Sequence, residues 1–295
     1  MTSFAEVETT PVVSPRARRR RLLVKRFMRR PFAVAGLAVA IGFVLMAVFA
    51  PILAPYDPNA TDFDAILEKP SWEHLLGTDE LGRDVLSRII FGARASILAG
   101  VFATLLAIVI AVPIGLVAGF YRGWIDPVIS RLTDVLLAFP FLILAVGLAA
   151  ILGPSLTNAT LALGLAAAPG LIRVARAEAL SLREEDYVRA AVANGAGDVR
   201  ILGRHVVPNM TGTLIVQATV TIPAAIIGEA ALSFLGLGVQ PPTPSWGVML
   251  ADAQSYLSDA PRLALYPGLA ILICSLSFNM LGDGLRDALD PKTQR

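Results

Sequence analysis

Residues 32–53 read FAVAGLAVAIGFVLMAVFAPIL, a run without a single charged side chain. A hydrocarbon core about 30 Å thick is crossed by about 20 apolar residues in helical form, so this stretch reads as a membrane span. A cleavable signal peptide has a shorter apolar core and a small-residue cleavage site. Here the run is full length and closes on Pro51 and Pro55, so retention of the segment is expected. Five more apolar stretches follow, at residues 95–120, 128–152, 156–172, 212–234 and 263–281. Six spans of this size occupy about two fifths of the chain. They account for a composition that is 55% hydrophobic and only 16% charged, with a mean hydropathy of +0.67. The expected fold is all-α and polytopic, with six transmembrane helices.

Working outward from the first span, the flanking charges orient it. Of the 25 basic residues, 9 fall between Arg16 and Arg30, in a tail punctuated by Pro11, Pro15 and Pro31. A second basic group, Arg173, Arg176, Arg183, Arg189, Arg200 and Arg204, follows the fourth span. The positive-inside rule places both on the cytoplasmic side, and with six spans the two termini share it. The opposite loops agree: residues 56–88 carry eight acids against three basic residues, and residues 235–262 carry Arg262 as their one basic residue. The organisation is therefore a basic cytoplasmic tail (1–31), a first span (32–54), and an extracytoplasmic loop with an interfacial helix (55–94). A five-helix core (95–285) contains a cytoplasmic loop (173–208) and an outer loop (235–262), and a cytoplasmic tail (286–295) closes the chain.

Composition excludes several chemistries. Cys274 is the sole cysteine and has no intrachain disulfide partner, and with His74 and His205 it fits no standard zinc spacing. None of the lysines, Lys25, Lys69 and Lys292, follows a phosphate-cradling G-x-x-x-x-G-K-[ST] loop, and G-x-S-x-G, H-E-x-x-H and GxGxxG are absent. No P-loop ATPase activity is expected of this chain, and neither a metal nor a nucleic-acid partner.

Residues 173–208 carry the strongest local signals. Ser181 and Glu184 form an S-x-x-E capping box, Asn194-Gly195 supplies a left-handed stop, and Asp198 is placed to cap a second short helix. Ala190 and Ala191 give a smooth surface ringed by Arg183, Glu184, Glu185, Asp186 and Arg189. These residues describe either a helical knob for a partner or a solvated amphipathic loop with ordinary positive-inside charge.

The string Arg189-Ala190-Ala191, then Gly195, then His205-Val206-Val207-Pro208-Asn209 resembles the EAA loop of ATP-binding-cassette importer permeases. It departs from that pattern in having Arg189 where the name-giving Glu stands. Gly77-Thr78-Asp79-Glu80-Leu81-Gly82-Arg83-Asp84-Val85-Leu86-Ser87-Arg88 resembles the GTDxxGRDxxSR signature of the second permease subunit of dipeptide, oligopeptide and nickel importers. Leu81, Val85, Leu86, Ile89 and Ile90 share one helical face, which reads as an interfacial helix that can also brace a pore mouth. Residues 229–238, Gln240-Pro241-Pro242, Ser245-Trp246-Gly247 and residues 282–291 extend the resemblance over about residues 32–291.

The resemblance implies the type I, MetI-like permease fold and an ATP-driven importer of dipeptides or oligopeptides working by alternating access, with a nickel-chelate or glutathione-type importer as the alternative. It also implies a heterodimer with a homologous permease, one or two ATPase subunits that bind ATP and Mg, and an extracytoplasmic substrate-binding protein. This chain would carry no cofactor, and it would sit in the cytoplasmic membrane of a prokaryote. The coupling surface would comprise Arg183, Asp186, Arg189, Ala190, Ala191, Gly195, His205 and Pro208, and the outer motif Gly77, Thr78, Asp79, Gly82, Arg83 and Asp84.

Glu229 has two readings: a pore or gate residue, or a group at the outer interface bonded to Ser233 one turn on. Asp134 and Arg131 read as an interfacial pair, and Pro113, Pro140, Pro169 and Pro223 as span bends. A membrane-embedded enzyme would need paired acids or a Ser/His pair at facing depth within spans, and the six stretches offer none. A stand-alone carrier would carry more intramembrane polar residues or an inverted repeat.

Overall fold

The structure, a computed structural model, describes residues 24–289. Arg16, Arg18, Arg19, Arg20 and Arg21, and the tail beyond 289 with Lys292 and Arg295, lie outside the described residues. Those described form a helical bundle; the one β-type pairing among them is the isolated bridge between Thr78 and Asp84.

Helix α1, Pro31–Val48, starts with proline in its first turn and continues through a one-turn helix, Ala50–Leu53. After a long loop, α2 runs unbroken from Val85 to Tyr121. At 1.5 Å per residue it is about 55 Å long, well beyond the apolar core. The expected separate interfacial helix is therefore absent: residues 77–84 form a turn, and residues from Val85 on are the first turns of α2. Asp84 sets that boundary as N-cap, its carboxylate accepting from the Ser87 N–H at 2.8 Å.

The third apolar stretch is broken. Helix α3, Ile125–Leu137, and helix α4, Phe141–Leu152, meet at 89° across a short break. Pro140 lacks a donor and disfavours helical backbone at Phe139, so the chain turns there. Five helices are long and apolar enough to cross a membrane, and a sixth crossing results if α3 and α4 count as one. Helix α5, Leu156–Arg183, outruns its apolar stretch by three turns because its charged turns find partners. Arg176 chelates Asp126 of α3, and Arg173 reaches Asp134 of α3 at 2.8 Å. Asp134 thus pairs with Arg173 rather than with Arg131 on its own helix.

Two short helices follow: α6, Asp186–Ala193, and α7, Asp198–Ile201. A π-turn, Leu202–Val206, then leads into α8, Val207–Phe234. Helix α9, Trp246–Ala253, lies within the loop before α10, Arg262–Leu289.

Helices α2 and α5 run side by side in the same direction and form the spine, Gly164 meeting Ala103 and Leu106 at one end and Gly119 meeting Ala179 at the other. A Cβ at Gly119 would stand 2.6 Å from the Arg176 carbonyl oxygen, so only glycine lets the two backbones come this close. One apolar cluster, with Phe43, Val85, Ile97, Ile226, Trp246 and Leu263, packs the end of the bundle that carries the long loop and α9. Another, with Leu116, Phe120, Val188, Ile201, Val206 and Met210, packs the opposite end beneath α6 and α7. The outward faces of α1, α2 and α10 expose rows such as Leu98, Phe102, Leu105 and Val109, the surface a bilayer covers.

Candidate functional site

The knob is built from the α5 terminus outward. Helix α5 runs through Arg183, so Ser181 and Glu184 close one helix instead of opening the next; the expected capping box does not form. Glu185, with extended backbone, occupies the N-cap of α6, and Asp186 in its first turn suits the positive end of the helix dipole. Val188 is the buried anchor of α6, packed among Phe120, Ile201 and Val206. Arg189 and Ala190 point outward, and Ala191 is half-buried.

The stop at Gly195 is present. Its φ is +77°, the Ala196 N–H donates to the Ala191 carbonyl at 3.1 Å, and the Gly195 N–H donates to the Val192 carbonyl at 2.9 Å. This is the paired closure of a Schellman motif. The N-cap of α7 is Gly197; Asp198 sits one position inside and makes no cap bond.

Salt links tie the knob to the spine. The Arg183 guanidinium donates to the Phe120 carbonyl and lies 5.5 Å from the centre of that ring. Glu184 bridges Arg122, at 2.6 Å, and Arg189, at 2.7 Å. Those two guanidinium groups, Arg189 first, hold its carboxyl below the usual glutamate range. An open cleft of about 440 Å³ lies between Phe120, Tyr121, Arg183, Glu184, Val188 and Arg189. The His205 ring lies 6.2 Å from that of Tyr187, and Pro208 is exposed in the first turn of α8.

At the other end, residues 77–88 form a clasp. Thr78 donates to the Ala65 carbonyl and accepts from the Glu68 N–H at 2.9 Å. Gly77 and Gly82 both have positive φ. At Gly82 a Cβ would also fall on Asp62, 1.7 Å from its carbonyl oxygen. Asp79 accepts from the Leu81 and Arg83 backbone N–H groups, each at 2.9 Å, and from Arg83 Nε at 2.7 Å. Arg83 also reaches Glu80 at 2.5 Å, and Arg88 Nε reaches Asp79 at 3.3 Å. His74 Nδ1 lies 3.0 Å from Asp84. Arg88 is 1% exposed and Arg83 5%, so these are interior charges.

Glu229 is enclosed, at 0% exposure. Its two oxygens accept from Ser96 of α2 at 2.8 Å and from Ser233 at 2.7 Å, and Ser245, the N-cap of α9, is a third hydroxyl neighbour. The bond to Ser233 one turn on is present, but the carboxyl faces protein on every side and borders no open passage in this state. Beside it, a Cβ on Gly247 would stand 2.3 Å from the Ala230 carbonyl oxygen, which seats α9 directly on α8.

Sequence reasoning omitted Ser96, Ser245, Arg122 and Asp252 from the site. Arg88 stood in the quoted signature without a role, and Asp252 gave no signal because its partners lie about 170 positions away. Among the described residues, no group of His, Cys, Asp and Glu is arranged to hold a metal ion.

Residues 111–295 match the family described as binding-protein-dependent transport system inner membrane component, and residues 19–70 match the N-terminal TM domain of oligopeptide transport permease C. The chain is 46% identical over 268 residues to the dipeptide transport system permease protein DppC of Alkalihalophilus pseudofirmus, covering 91% of this chain and 88% of that one. It is 47% identical over 272 residues, 90% of each chain, to the di/tripeptide transport system permease protein DppC of Pseudomonas aeruginosa. It is 43% identical to the glutathione transport system permease protein GsiD of Pectobacterium atrosepticum, over 98% of this chain and 97% of that one. The chain belongs to the family of binding-protein-dependent transport system inner membrane components, and is a multi-pass permease of the ATP-binding-cassette importer type.

Proposed function

We propose that this permease, paired with a homologous second permease, imports short peptides. Their passage would be driven by one or two cytoplasmic ATPase subunits that bind the ATP and Mg. The substrate class rests on the relatives, whose names specify dipeptides, di- and tripeptides and the tripeptide glutathione. The knob end is cytoplasmic in this reading, following the arginines of residues 173–204, and the clasp end receives the extracytoplasmic binding protein.

The observation that carries the reading is the knob itself. Helix α6 presents Arg189 and Ala190 outward while Val188 and the Arg183–Phe120 contact fasten its base to α5 and α2. A displacement imposed on α6 therefore passes to the spine as a rigid-body movement. No covalent chemistry on the peptide is required; the chain supplies a passage and a lever. The test is uptake of a labelled dipeptide by cells carrying or lacking this chain, with glutathione as competitor. Uptake that depends on the chain is expected. Equal uptake in both strains overturns the peptide reading, and complete competition by glutathione at equal concentration narrows the class to glutathione-like peptides.

A further inference from the structure

The break between α3 and α4 lies at membrane depth. Helix α4 has 12 residues, about 18 Å of helix, and its far end at Leu152 meets the start of α5 across a short turn. The break is therefore about 18 Å inward from that turn, within an apolar core about 30 Å thick. Its surroundings agree: the Phe141 ring lies 3.5 Å from where a Cβ on Gly228 would stand, inside the apolar stretch of α8. At the break the backbone is open. Among the described residues no backbone N–H donates to the carbonyls of Leu137, Ala138 or Phe139, and Pro140 has no N–H to give. All four residues are exposed. Hydrocarbon offers such carbonyls no donor, and irregular backbone at this depth is stable only against protein or along a water-filled cavity.

A second feature of the same face points to water. Asp134 and Arg173 pair at 2.8 Å, yet their side chains are 54% and 60% exposed. So open a charged pair is costly against lipid tails. Beside it, between α3 and α5, lies a cavity of about 280 Å³. Ile129 and Ile172 give it apolar walls, and Ser130, Thr133, Asp134 and Arg173 give it polar ones. Arg176 also lines it but is taken by Asp126 at 2.8 Å, and the Thr133 hydroxyl donates to the Ile129 carbonyl at 2.7 Å. Arg131, on the same helix, is exposed and is not among the walls. Among the described residues, one oxygen of Asp134 and two nitrogens of Arg173, Nε and Nη1, are left without a partner.

We propose that this cavity is a water-filled station on the passage, holding a short peptide by both charged ends, with Arg173 taking the carboxylate and Asp134 the ammonium. The lining pairs balance in charge while each sign keeps a free group, which suits a zwitterion better than a cation or an anion. The guanidinium fork matches a carboxylate in shape. Ile129 and Ile172 supply apolar contact for a side chain, and the volume is at the small end of ligand pockets, which favours short peptides over long ones. One turn beyond Asp134, the open carbonyls of Leu137 and Ala138 are acceptors for peptide N–H groups. The ligand class rests on the peptide-import reading; the aqueous setting of this face rests on the open backbone and the exposed ion pair.

The test uses the assembled importer in nanodiscs, open to solvent on both faces, without nucleotide and with Cys274 replaced by Ala. Single cysteines are introduced as Ser130→Cys in the cavity, Ala138→Cys at the break and Leu98→Cys on the outward face of α2. Each is labelled with a charged, membrane-impermeant thiol reagent. Ser130→Cys and Ala138→Cys are expected to react, and Leu98→Cys to stay unlabelled. Dialanine is expected to slow labelling of Ser130→Cys, by about tenfold at about nine times its dissociation constant. Dialanine acetylated and amidated at its ends is expected to leave the rate unchanged. Arg173→Gln, which keeps a donor but loses the charge, is expected to raise the dialanine concentration required by about tenfold or more. Absence of labelling at both Ser130→Cys and Ala138→Cys places this face against lipid or the second permease and overturns the inference. It is also overturned by labelling that dialanine does not slow, by equal protection from the capped peptide, or by an unaltered requirement in Arg173→Gln. If Ser130→Cys does not assemble, Ala138→Cys is read for protection; if Arg173→Gln does not, the capped peptide decides. Failure of the peptide-import reading alone would show as uptake independent of the chain, with labelling and protection as expected.

Discussion

Replacing Glu229 separates two roles for a carboxyl in the bundle interior, hydrogen-bond acceptor and charge. Ser96 and Ser233 both donate to it. Ser233 Oγ also accepts the Val239 N–H at 3.0 Å, and Ser245 Oγ accepts the Val248 N–H at 3.2 Å, so those oxygens keep a partner whatever happens at position 229. Glu229→Leu strands the two donating hydroxyls. Each buried donor left unpaired costs about 1–3 kcal/mol, and hydroxyls that swing to a carbonyl one turn back recover part of it. The net loss is about 2–4 kcal/mol, a fall of roughly 4–10 °C in the melting midpoint for a chain of this size. Glu229→Gln retains a carbonyl acceptor and one donor-capable group, so its loss is about 1 kcal/mol. The assay is thermal unfolding of the assembled permease pair in nanodiscs at one scan rate, since such unfolding is governed by rate. Pairing Glu229→Leu with Ser96→Ala is expected to be less than additive because the residues share one bond. Leu and Gln variants of equal stability would refute the reasoning: both near the parent would make the bonds irrelevant, and both equally damaged would make charge the property that counts.

Other outcomes follow from the same geometry. Gly247→Val drives a side chain into the Ala230 carbonyl and is expected to cost about 1–3 kcal/mol, read as protease cleavage near α9 in the assembled complex. Arg88→Met removes a buried cation from the buried Asp79 and the partly exposed Asp252; breaking a buried ion pair costs about 3–5 kcal/mol, read here as a lowered melting midpoint. Glu184, held below the usual carboxylate range by Arg189 and Arg122, contributes its link above that range and loses it as pH falls through the lowered value. Protease cleavage between α5 and α8 is therefore expected to stay constant down to the ordinary glutamate range and to rise only as pH falls below it.

Much of the fold is legible because length and hydropathy are local properties. The run 32–53 lies over α1 and its continuation, and the stop at Gly195 follows from the one residue type that adopts φ of +77° without strain. Competition among distant partners is not legible. Residues 128–152 have the hydropathy of one span, yet Pro140 and the pull of Arg173 and Arg176 on Asp134 and Asp126 turn α3 away from α4. Ser181 and Glu184 have the spacing of a capping box, but α5 is already anchored through Arg183, and Glu184 is taken by two arginines. Leu81, Val85, Leu86, Ile89 and Ile90 have helical apolar spacing, but the polar atoms of residues 77–84 close a turn that makes Asp84 a cap and starts the helix only at Val85. The clasp needed Asp252, and no local pattern ties an acid in one loop to arginines in another.

The claim that α6 transmits ATP-driven motion to the passage is tested most directly at Gly195, with the complete importer in proteoliposomes and peptide accumulation and ATP hydrolysis measured together. Gly195→Val forces a β-branched residue into left-handed backbone, a strain of about 1–3 kcal/mol confined to the stop of α6, with open space around the position. The account predicts a complex that still inserts and assembles, but neither accumulates peptide nor raises its ATP hydrolysis when the loaded binding protein is added. Accumulation and stimulated hydrolysis at the parent's ratio in that variant would contradict it.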